Sequence, residues 1–386
     1  MITNDIKYIG VNDHEIDMFE GQYRVPHGMA YNSYLIIDEK IAVMDSVDIR
    51  FADLWIENIK RASGGRIPDY LVIHHMEPDH SSSIMRFVTE FPDARLVASA
   101  KAFAMMQGFF GEDFSDRRII IGEGDMLDLG RHKLSFVAAP MVHWPEVMMS
   151  YDSLDKALFS ADGFGKFGAL DFNDDWVDEA RRYYFCIVGK YGAQVQALLT
   201  KLGGLDIKLI CPLHGPVLKD DIDYYIGLYD TWSSYRAEKN GVCIAYTSVY
   251  GNTRAAVDML CEELRSRDVK TVVYDLARCD IHKVVEDAFV YDKLVLATTT
   301  YNGDIFPFMK EFIDHLTERN YRSRTVAFIE NGSWAPIAIK IMKNMLMKSK
   351  NLTFLESEVR ITSALNDGSR EQIKALAGEM AKYILV

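Results

Sequence analysis

Two imidazoles and two carboxylates crowd into six residues, His75-Met76-Glu77-Pro78-Asp79-His80. The stretch directly follows the apolar run Tyr70-Leu71-Val72-Ile73. Pro78 biases Glu77 away from helical backbone, so a loop here splays its side chains. Glu77 and Asp79 repel one another unless a cation offsets their charge. Three further candidates lie downstream: His143 in MVHWPE, Asp162 in FSADGFG and His214 in CPLHGP. Each follows a strand-like run, which would bring the loops to one sheet edge. Taken singly, His143 and His214 read as hydrogen-bonded structural residues and Asp162 as a turn cap. Taken with the six-residue motif, four imidazoles and three carboxylates suffice for two metals with one carboxylate bridging. Mixed nitrogen and oxygen donors suit iron or manganese, with zinc as an alternative, and the absence of thiolates disfavours structural zinc. His14, His27, His74, His132, His282 and His315 lack such company and read as structural or surface groups, with support of the ligands as an alternative reading for His74.

A second chemical pattern is Ser248-Val249-Tyr250-Gly251-Asn252-Thr253, between the strand-like VCIAYT and a helix carrying Ala256, Leu260 and Leu264 on one face. Hydroxyls, a glycine and free amides at a helix N-terminus cradle one phosphate. This loop carries neither the GxGxxG of a dinucleotide site nor the GxxxxGK[ST] of a triphosphate site. On its own the loop also reads as an ordinary helix cap. Two more loops follow apolar strand-like runs. TTTYNGD, with Thr300, Tyr301, Asn302 and Gly303, follows KLVLA; ENGSW, with Asn331, Gly332, Ser333 and Trp334, follows TVAFI. All three loops resemble those of the flavodoxins, where the isoalloxazine is held by aromatics and backbone amides. That resemblance makes Tyr301 and Trp334 the stacking residues and FMN, rather than FAD, the ligand.

The elements that must position these groups follow from length and charge. A chain of 386 residues exceeds one ordinary core. Residues 1–240 hold 24 Lys and Arg against 37 Asp and Glu, whereas residues 241–386 hold 19 of each. The polar segment TWSSYRAEKNGV marks the seam, so domains are expected at 1–238 and 239–386. The first part predicts strands at 33–37, 41–44, 70–74, 95–98, 133–138, 157–160 and 209–211, with helices near 53–62, 82–91 and 175–202. Paired strands with helices outside suggest two sheets packed face to face. The second part alternates strand and helix, which predicts a doubly wound parallel sheet. A net charge of −13 and no basic run argue against nucleic acid. No apolar stretch reaches membrane length. Five scattered cysteines and a start without signal-peptide character predict a reducing, cytoplasmic setting.

The ligand pattern resembles the metallo-β-lactamase fold, in which the hydrolases carry HxHxDH. Here Glu77 stands at the second His, and HxExDH followed by His143, Asp162 and His214 resembles the flavodiiron proteins. The resemblance covers nearly the whole chain. It implies an αββα sandwich followed by a flavodoxin-like sheet. It also implies that His75, Glu77 and His143 bind one iron, that Asp79, His80 and His214 bind the other, and that Asp162 bridges. Replacing an imidazole by a carboxylate favours the oxidised metal and hence redox work over hydrolysis. The implied activity is reduction of O2 to water, of NO to N2O, or both. Two irons and one FMN together hold four electrons, which favours reduction without release of peroxide. A head-to-tail homodimer, alone or doubled, and an external donor such as rubredoxin or a flavin reductase are implied as well. Many family members carry a His near Glu20, so a pocket group differs here. Trp144 and Tyr151 lie near His143 in sequence as pocket or packing residues. The rival reading is a thioesterase-like metallohydrolase with a flavodoxin-like regulatory domain.

Overall fold

The computed structural model describes residues 2–173 and 175–382. The chain divides into two compact units, Met1–Ser233 and Ser234–Val386.

Among the described residues, the first unit holds a six-stranded and a five-stranded sheet. The six-stranded sheet runs, in spatial order, Ile6–Tyr8, Tyr34–Ile37, Ile41–Met44, Tyr70–Val72, Arg95–Ala98 and Arg118–Ile120. The five-stranded sheet runs Met126–Asp128, Lys133–Ala138, Met148–Asp152, Ala157–Phe159 and Leu209–Cys211. Side chains alternate faces along a strand. Tyr34, Ile36, Ala42, Met44, Tyr70 and Val72 therefore point the same way, into one core with Leu134, Phe136, Met148 and Phe159 of the other sheet. The opposite-facing Leu35, Val43, Leu71 and Leu96 are equally buried. The helix Ala52–Ser63 packs on Tyr34–Ile37 and turns Trp55, Ile56 and Ile59 inward. This is the expected αββα sandwich.

Chain direction places the site. Lys133–Ala138 and Ala157–Phe159 are both antiparallel to Met148–Asp152, and Leu209–Cys211 is parallel to Ala157–Phe159. These three strands thus end on one edge, where the loops carrying His143, Asp162 and His214 begin.

Two local expectations differ. Pro78–Ser81 is a helical turn rather than open loop, entered from Glu77 in extended backbone (ψ 139°). Proline enforces both halves: it pushes its predecessor out of the helical region and suits a first helical position itself. The helix expected over 175–202 is broken into α-helix Trp176–Tyr183, a π-turn Tyr184–Val188, a 3₁₀ turn Gly189–Tyr191 and α-helix Gly192–Leu202. Aromatic and β-branched side chains in YYFCIV, all buried, crowd a regular α-turn, and the glycines that follow lower helix propensity.

The second unit's parallel sheet has the spatial order Thr271–Asp275, Lys239–Tyr246, Tyr291–Tyr301 and Thr325–Asn331, beside which Thr353–Phe354 and Val359–Ile361 lie. That order, 2-1-3-4-5, is doubly wound, and a ligand crevice forms where it reverses. The loops after Lys239–Tyr246 and Tyr291–Tyr301 leave at this point.

Two buried histidines tie the first unit's sheets together. His74 Nδ1 bonds Asp45 Oδ2 at 2.5 Å and its Nε2 bonds Ser150 Oγ at 2.8 Å, so it is a structural link behind the site. His132 Nδ1 lies 3.0 Å from Asp152 and its Nε2 lies 3.3 Å from Asp5. Burial opposes charge on His132, but these carboxylates outweigh it and raise its pKa. Stability from such a group is complete below the unfolded-state value of about 6.5 and is lost as pH climbs through the native value. His132→Asn should therefore cost on the order of 2 kcal/mol at pH 6, with the deficit shrinking toward pH 9. Thermal melts across that range check it; a constant deficit contradicts the assignment.

Candidate metal centre and flavin pocket

The seven predicted ligands converge in two groups. His75, Glu77, His143 and Asp162 offer ligand atoms within 4.8 Å of one another, as do Asp79, His80 and His214. Asp162 lies between them. Its Oδ2 is 2.9 Å from His143 Nε2 and 3.4 Å from His75 Nε2. Its Oδ1 is 3.5 Å from His80 Nε2 and 3.7 Å from His214 Nε2. Glu77 Oε2 faces His75 and His143 at 3.3 and 3.1 Å, and Asp79 Oδ2 faces His80 and His214 at 3.2 and 3.3 Å. Each half therefore has two imidazoles, one carboxylate of its own and one oxygen of Asp162.

The residues fit a pair of cations. Both oxygens of Asp79 and Oδ1 of Asp162 are buried with no hydrogen-bond partner among the described residues. An uncompensated buried carboxylate costs several kcal/mol, roughly, so these atoms call for a positive partner. Nitrogen and oxygen donors without sulfur match iron.

Neighbouring groups hold each ligand. Asn32 Nδ2 donates to the carbonyls of Pro212 and Gly215 at 2.8 and 2.7 Å, and Tyr34 Oη donates to Pro212 O at 2.6 Å, which clamps the loop bearing His214. Gly215 has φ +80°, and a Cβ there would lie 2.5 Å from Lys166 Cγ. His214 Nδ1 donates to Ala30 O at 2.8 Å, and His75 Nδ1 donates to Glu146 Oε1 at 2.8 Å. Phe19, Tyr183 and Tyr31 pack their rings against His214 with centroids 5.4, 5.5 and 6.0 Å away. Trp144, half-buried, stands edge-on to His75 at 5.3 Å. Tyr151 is turned away, donating to Asp206 O at 2.9 Å.

Without metal, protons take the place of cations. Burial opposes charge on His75 and His143, yet Asp162 and the other carboxylates raise both, His143 to about 9. Burial likewise works against charge on Glu77 and Asp162, and the imidazoles hold both well below the usual range. Burial is the largest effect on His80 and lowers it. Burial also opposes charge on His214, where Asp79 prevails and raises it. Glu20 stands at the exposed rim, raised to about 7 by burial and then by the charge of Glu77.

In the second unit, every predicted flavin-loop residue except Gly251 lines one cavity of about 640 Å³. Thr299, Ala335, Ile337 and Ser363 complete it. Gly251 caps the helix Asn252–Arg265 in left-handed backbone, φ 91°. Ser248 Oγ accepts the Gly251 N–H at 3.1 Å. Among the described residues, no charged side chain lines the cavity. A phosphate there meets hydroxyls, amides and a helix N-terminus. Tyr301 and Trp334 are 44% and 83% exposed, leaving ring faces free to stack.

Sequence reasoning missed Glu146, Tyr183, Asn32 and Ser363. Glu146 lies three residues after His143 and carried a readable signal, an acid beside a ligand. Tyr183 carried none, because it ends the α-helix Trp176–Tyr183, where a buried aromatic reads as core packing. Its hydroxyl is buried without a partner among the described residues.

A buried carboxylate–imidazole cluster able to hold two cations in one unit and a cavity lined by three flavodoxin-like loops in the other are the arrangement expected of a two-part redox protein. The comparisons agree. Residues 29–215 match the model of the ODP family beta lactamase, and residues 243–374 match that of the flavodoxin domain. The anaerobic nitric oxide reductase flavorubredoxin of Salmonella arizonae is 28% identical over 90% of this chain and 74% of its own length. The flavodiiron protein of Giardia intestinalis aligns with TM-score 0.92 at 25% identity, over 99% of this chain and 95% of its own. Rubredoxin oxygen:oxidoreductase of Desulfovibrio gigas aligns at TM-score 0.93 and 22% identity, over 99% and 97%. The chain thus joins a domain matching the ODP beta lactamase model to one matching the flavodoxin model, and is similar in sequence and fold to flavodiiron proteins.

Two outcomes follow. Because His75 and His143 are protonated in the empty site and must be neutral to ligate, Fe2+ loading at pH 7 in weak buffer should release protons, and affinity should rise up to about pH 9. Calorimetry in buffers of different ionisation enthalpy measures the release; none would contradict the assignment. Glu20, raised in the native state, costs stability once pH exceeds its unfolded value and most above its native value of about 7. Glu20→Gln should therefore raise the Tm of the metal-free protein at pH 8 and leave it unchanged at pH 4, read by differential scanning calorimetry.

Proposed function

We propose that this chain reduces O2 to water, NO to N2O, or both, at a non-haem diiron site supplied with electrons by FMN. The observation that carries the reading is Asp162, with one oxygen toward each half of a seven-ligand cluster. His75, Glu77 and His143 are assigned to one iron, Asp79, His80 and His214 to the other, and Asp162 to both. FMN is assigned to the loops Ser248–Thr253, Thr300–Gly303 and Asn331–Trp334. The relatives named as nitric oxide reductase flavorubredoxin and as rubredoxin oxygen:oxidoreductase support both diatomics and an external protein donor.

When bound, FMN supplies electrons singly or in pairs and the irons supply the place where a diatomic accepts them. The chain's own residues do the rest. Three carboxylates offset the cations' charge in a buried site. Phe19, Tyr31 and Phe167, all buried, keep water out of the His214 side. Tyr183 holds a proton at Oη: burial first, then the charges of Asp162, Glu77 and Asp79, keep that phenol from ionising. The hydroxyl is thus a hydrogen-bond donor close to the ligands. Glu20 carries a second proton at the rim near neutral pH. The metallohydrolase reading is weaker, because Glu77 replaces the imidazole of the hydrolase motif.

The chain is further proposed to act as a head-to-tail homodimer, the flavin of one copy serving the irons of the other, with rubredoxin or a flavin reductase as donor.

The test is steady-state consumption of O2 and of NO with one artificial donor, on protein of measured iron and FMN content. Asp162→Asn should lower both rates by more than the roughly 10–100-fold typical of changes one layer outside a metal, with FMN content retained. Ester hydrolysis by a two-zinc form, without O2 or NO consumption, would favour the hydrolase. Mixing His214→Ala with a variant unable to bind FMN should restore turnover in heterodimers; no rescue would count against the pairing.

A further inference from the structure

The two metal positions carry the same inner donors, two imidazoles and one carboxylate each, with Asp162 shared. They differ in what stands behind the imidazoles. His75 Nδ1 donates to the carboxylate of Glu146 at 2.8 Å, and the same Oε1 accepts the Met76 N–H at 2.9 Å. On the other side His214 Nδ1 donates to a neutral carbonyl, Ala30 O, and His80 Nδ1 is buried with no partner among the described residues. The Glu146 side chain is wholly buried, and its Oε2 has no partner among the described residues either.

We infer that Glu146 is a positioning residue that makes the two metal positions unequal, so that the ion held by His75, Glu77 and His143 binds more tightly than its neighbour. This rests on the two-metal reading proposed above. A backbone N–H such as that of Met76 is satisfied by a neutral amide as well as by a carboxylate. A buried carboxylate with one bare oxygen is costly unless a positive charge lies beyond its hydrogen bond. An imidazole that donates from Nδ1 to an anion is fixed in the tautomer that leaves the Nε2 lone pair free, and it is made more basic. His75 Nε2 faces Glu77 Oε2 and Asp162 Oδ2, so the added electron density is directed at the first position. The loop is itself anchored, since Ser99 Oγ donates to Glu146 O at 3.0 Å. The more anionic surroundings also favour the higher oxidation state at that position.

The test is anaerobic titration of metal-free full-length protein with Co2+ against a competing chelator, followed by the d–d absorption of bound cobalt. Wild type should bind two ions in two resolved steps. Glu146→Gln keeps the size and can still accept the Met76 N–H. It should weaken the tighter step by about 10–100-fold, leave the other within threefold, and draw the two steps together, with circular dichroism unchanged. Glu146→Asp keeps the charge and should keep two resolved steps; it alone decides if the Gln variant does not fold, and merged steps in it overturn the inference. A Gln variant that retains its tight step, or loses both steps equally with the fold intact, overturns it as well. A wild type that binds two ions in one unresolved step removes the asymmetry but leaves the two-metal reading standing, whereas one that binds no cobalt removes both.

Discussion

One buried carboxylate sets the terms for the first unit. Asp162 has an oxygen toward His75 and His143 and the other toward His80 and His214. With Glu77 and Asp79 it brings three negative charges into a volume shared with four imidazoles. Such a cluster is stable only while its charges are compensated, by protons on the imidazoles or by cations between them. The low values of Glu77 and Asp162 and the high values of His75 and His143 are two sides of that compensation.

The sandwich exists in a form that makes this cluster possible. Three strands of one sheet end together, so ligands far apart in sequence meet at one edge. The opposite sheet contributes the turn at Pro78, where a proline separates Glu77 in extended backbone from Asp79 and His80 in a helical turn. One residue thereby divides the six-residue motif between the two halves of the cluster. His74, adjacent to ligand His75, is spent on joining the sheets through Asp45 and Ser150, which keeps the strand ends in register with the loops they launch.

The convergence of the candidate ligands was legible in the sequence because each follows an apolar run, which places its loop at a strand's end. The flavin loops were legible for a related reason: strand, polar loop and helix recur at the same phase, and the parallel order then brings the loops together. What stayed hidden depends on conformation rather than residue type. Tyr183 reaches His214 from a helix that breaks into a π-turn directly after it, and helical periodicity carries no such signal. Ser363 lines the flavin cavity from the loop after the three-residue strand Val359–Ile361, too short to stand out in composition. Glu146 was visible as an acid near His143, yet its partner proved to be His75, a pairing decided by the fold of the intervening loop.

The shared carboxylate at the centre of this account is tested most directly by anomalous diffraction at the iron edge from crystals of anaerobically loaded protein. Two peaks are expected, one on each side of Asp162, the first among His75, Glu77 and His143 and the second among Asp79, His80 and His214. A single peak, or two that lie to one side of that aspartate, would contradict it.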